Sequence, residues 1–336
     1  MSSAIAAMGT APASPAVVRA VGERYGLVAL EVVGVMPRGL ANHALRVASA
    51  GRAYVLRHGR PGQELERRPT AHHALMTHLA RAGLPVPAPL RTVTGETIAR
   101  VDGVAFDLYP FVDGTQFALG SARHVALAGA ALARLHVAAE SCPQPLPAAE
   151  PDFRTRVGAA LADAPAWDAD LLPVVGDVRA RLAALDYAAL PPAVVHGDFK
   201  RPNLLFAGDR LAGIVDFDHA CRERRAVDLA LGVSHLARGA GKRAVVDPAL
   251  AQTFAAAYER VAPLDAEERA ALPVLVLAEG CRAVADRRRR LTRAPLDGRA
   301  KARAKVAKHA ERLMWLHAHE ATWGSALVRR ANGRRR

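Results

Sequence analysis

The first 199 residues contain no lysine. Only Lys200, Lys242, Lys301, Lys305 and Lys308 occur in all 336 residues, although Lys and Arg together number 46 against 32 Asp and Glu, for a formal net charge of +14. The positive charge is therefore almost entirely arginine. A basic surface can bind nucleic acid through its phosphates, but arginine alongside heavy Ala, Pro and Gly usage reads as coding bias, and no nucleic-acid partner is expected. Cysteine is equally scarce. Cys142, Cys221 and Cys281 are far apart and lack metal-ligand spacing, which points to free thiols in a reducing cytoplasm and away from a disulfide framework. No apolar run approaches the length of a membrane span, so no membrane partner is expected. Residues 1–16 have neither the basic start nor the compact apolar core of a secretory signal. They read as a disordered leader over 1–14, and the arginine-ended segment 326–336 reads as a basic disordered tail. No repeat of period 20–50 is present.

What is present centres on one block. Val194-Val195 runs into His196-Gly197-Asp198, Leu204–Phe206 leads out of Asn203, and Ile214-Val215 runs into Asp216-Phe217-Asp218. Short branched apolar runs bounded by Gly or Pro predict small buried strands. Tight turns between them would bring Asp198, Asn203 and Asp216 to one end. A carboxylate that orients a hydroxyl, with an Asn–Asp pair offering hard oxygen ligands to Mg²⁺, suits phosphoryl transfer from a nucleotide.

The spacing H-G-D-x-x-x-x-N followed by D-x-D resembles the small-molecule branch of the protein-kinase-like fold: aminoglycoside phosphotransferases, choline kinases and type II homoserine kinases. The likeness covers roughly residues 25–300. It implies an α+β, two-lobed architecture, with an antiparallel-sheet N-lobe over 15–112 and a mainly helical C-lobe over 113–325. It implies ATP and Mg²⁺ as cofactors and a small-molecule hydroxyl as acceptor. Asp198 would take or orient the acceptor's proton, and Lys200 would act electrostatically near the transferred phosphate. Asn203 and Asp216 would hold the metal, with Asp218 assisting. His196 would fix the loop, and Asp228 would brace it.

The N-lobe departs from the family pattern. A helix is predicted over 15–26, with Ser14 as N-cap and Pro15 in its first turn. Strands are predicted at 27–35, 43–48 and 52–58. The turn Pro37–Asn42 stands where a loop would cover the phosphates. It has Gly39 as its single glycine, and Gly39 and Asn42 are its candidates; an ordinary hairpin turn is the alternative. With no lysine available, Arg57 is the candidate for the α- and β-phosphates, since a guanidinium can bind phosphate bidentately. The helix predicted over 69–82 carries His72 where the resemblance calls for a Glu, so either Glu64 or Glu66 substitutes or the grip is looser. Further strands are predicted at 88–93, 97–101 and 104–109. The main chain at Tyr109 and Phe111 would face the adenine, because Pro110 has no N–H.

In the C-lobe, helices are predicted over 121–139, 153–163, 168–186, from 225, and over 248–262, 265–292 and 298–320, with Pro273 a kink or break. His136 is expected to be a core histidine. Only twelve positions separate Asp216 from Asp228, too few for an activation segment and a peptide-docking surface, which favours a small acceptor. Residues 236–336 hold ten acidic against twenty-two basic residues. A pocket for polycationic aminoglycosides should concentrate carboxylates, so a neutral, zwitterionic or anionic acceptor of homoserine or sugar type is favoured. An aminoglycoside-type resistance kinase is the alternative within the class. A nucleotide-binding scaffold without activity is the alternative outside it, on the strength of His72 and the glycine-poor turn.

Overall fold

The computed structural model describes residues 14–36, 43–58, 69–162, 167–241 and 245–328. Gly39, Asn42, Glu64 and Glu66 lie outside these residues. The chain divides into two units. The first holds residues to Gly114 together with Cys142–Pro145 and Ala212–Asp218, and the second holds Thr115–Ser141, Leu146–Leu211 and His219 onward.

The first unit begins with α1 (Pro15–Arg24), started by the Ser14 hydroxyl, which accepts from the Val17 N–H at 3.3 Å, and by Pro15 at a position that needs no N–H. Five antiparallel strands follow in the order β1-β2-β3-β5-β4: β1 (Glu31–Val35), β2 (His43–Ser49), β3 (Arg52–His58), β4 (Ile98–Val101) and β5 (Val104–Pro110). In β3, Tyr54, Leu56 and His58 are buried and alternate with partly exposed residues, so one face is set by period-two patterning. That face joins Phe106 and Leu108 of β5 and Val18, Val21 and Tyr25 beneath α1 in one core. Burial of each such side chain contributes roughly 1.5–3 kcal/mol. The Tyr25 hydroxyl ties the layers by donating to Thr97 O and Phe106 O at 3.1 and 3.0 Å. On the other side, α2 (Pro69–Arg81) supplies His73 to the β5 residues Asp107 and Tyr109. β5 is thus covered on both faces, and residues 105–109 are all buried.

Residues 88–93, expected as a strand, form none; the Leu90 N–H donates to Leu108 O at 2.8 Å, the Thr92 N–H to Glu96 O at 2.7 Å and the Val93 N–H to Arg24 O at 2.9 Å, so the donors go to separate partners and not to one ladder.

The second unit is mainly helical. Its strands are short: β6 (Thr115–Gln116) pairs with β8 (Leu204–Ala207), and β7 (Pro192–Val195) pairs with β10 (Cys221–Arg224). β9 (Arg210–Ile214) carries the chain back into the first unit. The helices are α3 (Ala122–Glu140), α4 (Phe153–Ala162), α5 (Leu172–Ala184), α6 (Arg225–Leu236), α7 (Pro248–Glu259), α8 (Ala266–Thr292), α9 (Arg299–Ala318) and α10 (Glu320–Val328). At Gly129 of α3 an added Cβ would lie 2.4 Å from Phe254 O, so this glycine permits the approach of α3 to α7.

Two expectations need correction here, the break at Pro273 and the tail from 326. α8 continues through Pro273 without a break, and its N-terminus is secured by the Asp265–Glu268 capping box. One missing donor is outweighed by burial on both sides of the proline, at Leu272 and Val274. The helix expected over 298–320 is α9, which ends at Ala318. α10 follows and reaches Val328 with Leu327 buried, so residues 326–328, expected as tail, are helix.

Candidate functional site

In the second unit, β7 ends at Val195 and the chain turns through His196-Gly197-Asp198. The turn is held from below by Asp228 near the start of α6. Its Oδ2 accepts from the His196 N–H at 2.7 Å and its Oδ1 from the Gly197 N–H at 3.0 Å. Gly197 has φ +73, and a Cβ there would sit 2.3 Å from His219 O, so the turn requires glycine. The third N–H, of Asp198, donates to His196 Nδ1 at 3.3 Å. His196 is fully buried and packs edge-on to Phe199. The expected bracing by His196 and Asp228 is therefore visible as bonds.

Asp228 is itself buttressed by a residue that sequence reading left in the core. His136 Nε2 lies 3.2 Å from Asp228 Oδ2, and its Nδ1 lies 2.7 Å from the Tyr258 hydroxyl. An ionised carboxylate only accepts, so Nε2 carries the proton and Nδ1 accepts from Tyr258.

The turn delivers Asp198 with both oxygens engaged. Lys200 Nζ lies 2.6 Å from Oδ1, and Asn203 Nδ2 donates to Oδ2 at 2.9 Å and to the Asp198 carbonyl at 2.8 Å. Each carboxylate oxygen keeps a further lone pair with which to orient a hydroxyl. The double donation fixes the Asn203 amide and leaves Oδ1, a hard acceptor, for another partner. This orientation fits a Mg²⁺ ligand. Among the described residues, no cluster of three or more His, Cys, Asp or Glu could hold a metal.

In the first unit, Arg57 stands directly opposite Asp107 in the β3–β5 ladder. Its Nε and Nη2 each meet an Asp107 oxygen at 3.2 Å, and Nη1 meets Asp218 Oδ1 at 3.1 Å. Burial opposes the Arg57 charge, but Asp107, Tyr109 and Asp218 hold the guanidinium well above the usual arginine range. Burial likewise pushes the Asp107 carboxyl up, and Arg57 with His73 overcomes it and keeps it below the ordinary value. The Tyr109 hydroxyl, raised by burial and by Asp107, donates to Asp107 Oδ2 at 2.9 Å. With its proton so used, it accepts from His73 Nε2 at 2.7 Å, while His73 Nδ1 accepts from the Thr97 hydroxyl at 2.7 Å.

Among the described residues, the strand beside β3 supplies Arg57 with a carboxylate, Asp107, and His73, next to His72, is the helix residue that supports it. A sole carboxylate within the apolar strand Val104–Tyr109 was the signal available, because an acid in a doubly covered strand needs a cation.

Asp216 and Asp218 also belong to the first unit. Asp216 has φ +69, a left-handed backbone that Asp tolerates better than most residues and one that marks functional turns. Asp218 is engaged with Arg57. Of the main chain expected to face the adenine, two groups take part in the sheet. The Phe111 N–H is committed to Ala53 O at 3.1 Å, and Tyr109 lies in the ladder opposite Val55. The Pro110 carbonyl and the Val112 N–H are the main-chain groups at this exit with no such commitment.

Residues 35–272 match the model of the phosphotransferase enzyme family. A homoserine kinase of Afipia carboxidovorans is 34% identical over 203 residues, 60% of this chain and 62% of that protein. One from Bradyrhizobium diazoefficiens is 35% identical over 218 residues, with 60% and 62% covered. The chain spans less than two thirds of these relatives. Among solved structures, a microcompartment-associated aminopropanol kinase aligns with TM-score 0.68 at 15% identity, covering 94% of this chain and 99% of that one. An amicoumacin kinase, solved with AMP-PNP, Ca²⁺ and its antibiotic, aligns with TM-score 0.66 at 13% identity over 93% and 96%. At these identities the likeness establishes the kinase-like fold.

Proposed function

Because the chain belongs to the phosphotransferase enzyme family, we propose that it transfers the terminal phosphoryl group of ATP to a hydroxyl of a small molecule. The observation that carries this reading is Asp198 held between Lys200 and the double-donating Asn203 on a turn braced by Asp228. Asp198 orients the acceptor hydroxyl and draws its proton as the oxygen bonds to phosphorus. The bond from phosphorus to the bridging oxygen breaks, and ADP leaves with the electron pair. Lys200 lies where it can neutralise charge on the moving phosphoryl group. Arg57 meets the nucleotide phosphates, and the Val112 N–H with the Pro110 carbonyl meets the adenine edge. Asn203 and Asp216 are the residues that would hold Mg²⁺, with Asp218 shared between that role and Arg57. The ion supplies charge neutralisation across the phosphates when bound.

Relatives named as homoserine kinases make L-homoserine the first acceptor to try. The missing helix Glu, which favoured an inactive scaffold, loses its force because Asp107 carries that charge. ATP turnover measured against a panel of hydroxyl compounds with magnesium tests the reading. Phosphorylation of one small acceptor is expected, and ATP binding without transfer to any acceptor would overturn it.

A further inference from the structure

A cavity in the first unit lies outside the machinery assigned above. It opens between α2, the end of α1 and the turn that leads into β4, and it encloses about 690 Å³, a volume that suits a small-molecule ligand. The turn is rigid before any ligand arrives. The Gly95 N–H donates to Thr92 O at 2.9 Å, and the Glu96 N–H to Thr92 Oγ1 at 3.2 Å. The bond from Val93 N to Arg24 O fastens this turn to the last turn of α1. Arg24 and Arg91, both exposed, thereby line the same cavity. Arg91 is fixed through Nη1, which donates to Gly95 O at 2.6 Å, a neutral acceptor that leaves the charge uncancelled. Among the described residues Glu96 is the one carboxylate in the lining. Guanidinium forks set this way match a carboxylate or a phosphate.

The wall of the cavity leads by printed bonds of ordinary length to Arg57. His73 and Thr97 both line it, and the single proton of the Thr97 hydroxyl goes to His73 Nδ1 at 2.7 Å. His73 Nε2 donates to the Tyr109 hydroxyl at 2.7 Å, and Tyr109 donates to Asp107 Oδ2 at 2.9 Å. That same oxygen holds Arg57 Nη2 at 3.2 Å. An anion in the cavity competes for the Thr97 proton. Once it takes that proton, His73 Nδ1 faces only lone pairs, and the imidazole no longer holds Tyr109 in place.

We infer that this cavity is a binding site for a small organic anion bearing a carboxylate or a phosphate, and that filling it loosens the hold of Asp107 on Arg57. The effect on ATP rests on the reading of Arg57 above as the cation that meets the nucleotide phosphates. Coupling between two sites is reciprocal, so ATP and the anion weaken each other by the same factor.

Succinate and inorganic phosphate are the probes, titrated separately into the full chain at constant ionic strength and followed by calorimetry. One of them is expected to bind wild type, and to bind about tenfold more weakly to the double variant Arg24→Gln/Arg91→Gln. Both side chains are on the surface, so the affinity of this variant for ATP should stay within about twofold of wild type. Whichever probe binds identifies the anionic group that is read. Binding of neither probe by wild type, or equal affinity in the double variant, overturns the proposal. In a second arm the Kd for ATP is measured with and without saturating probe. It should rise about tenfold in wild type and hold steady in the double variant. Thr97→Val, which keeps the shape and removes the hydroxyl, should raise the Kd for ATP by a similar factor without probe and show no further response; Thr97→Ser should restore both properties. A response that persists in the double variant places the anion on Arg57 itself and defeats the proposal, as does a full response in Thr97→Val or a constant Kd in wild type with the probe bound. A chain that binds the probe but no ATP defeats the phosphotransferase reading and the coupling, and leaves the anion site standing.

Discussion

Arg57 and Asp107 face each other across adjacent antiparallel strands and close a two-point ion pair, with both Arg57–Asp107 contacts at 3.2 Å. Protein kinases set the corresponding cation with a carboxylate from a helix; here the strand register sets it. A sheet is stiffer than a helix that can swing, so the orientation of Arg57 follows from the integrity of the β3–β5 ladder.

Asp107→Asn should therefore harm nucleotide use and stability together. The buried guanidinium loses its opposed charge, a loss of about 3 kcal/mol for a broken buried pair, and the KM for ATP should rise about tenfold. Steady-state kinetics and urea unfolding measure both effects. An unchanged KM alongside unchanged stability would show that the pair is dispensable.

Asp198→Asn tests the other unit. The amide keeps the shape and can still meet Asn203 and Lys200 in part, but it cannot take a proton. We expect kcat to fall by about 10³, within the range for loss of a general base, with ATP affinity within about twofold of wild type. Near-normal turnover in this variant would remove Asp198 from the proposed chemistry.

Gly197→Ala should destabilise without removing a polar group. Its φ of +73 and the 2.3 Å approach of a Cβ to His219 O leave no room for the methyl. A cost of about 3 kcal/mol is expected from strain and overpacking combined, read as a lower denaturation midpoint at an unchanged slope. A midpoint equal to wild type would mean that the turn can relax.

Glu279 gives stability a pH dependence. Burial pushes its carboxyl up, but Arg282 and then His235 draw it down to about 2 from 4.5. A lowered folded-state value means that the stabilisation is complete above about 4.5 and is lost as pH falls toward 2, and it is worth about 3 kcal/mol. Melting temperatures of wild type and Glu279→Gln should differ most above pH 5 and converge as the acid limit is approached. A gap that stays constant across this interval would contradict the assignment.

The parts of the site legible in the sequence are those close together along the chain. His196, Asp198, Lys200 and Asn203 lie within eight positions, so a turn alone brings them together. The parts that were not legible depend on register or on distant helices. Arg57 meets Asp107 only because the strands pair with 57 opposite 107, and His136 reaches Asp228 across 92 positions. The sheet bonding that continues to Phe111, past the strand end expected at 109, was not legible either. The strand expected at 88–93 is absent because apolar composition marks burial and not pairing: the N–H groups of Thr92 and Val93 go to Glu96 O and Arg24 O, two different partners.

Arg57, proposed here to meet the nucleotide phosphates, belongs to a unit without lysine. Reagents that identify ATP sites by acylating a primary amine therefore have no target beside Arg57, whose guanidinium is held protonated between Asp107 and Asp218. Chemical surveys of kinases by lysine labelling would pass over this unit, and any mark they left on the chain would fall at Lys200 or at a later lysine.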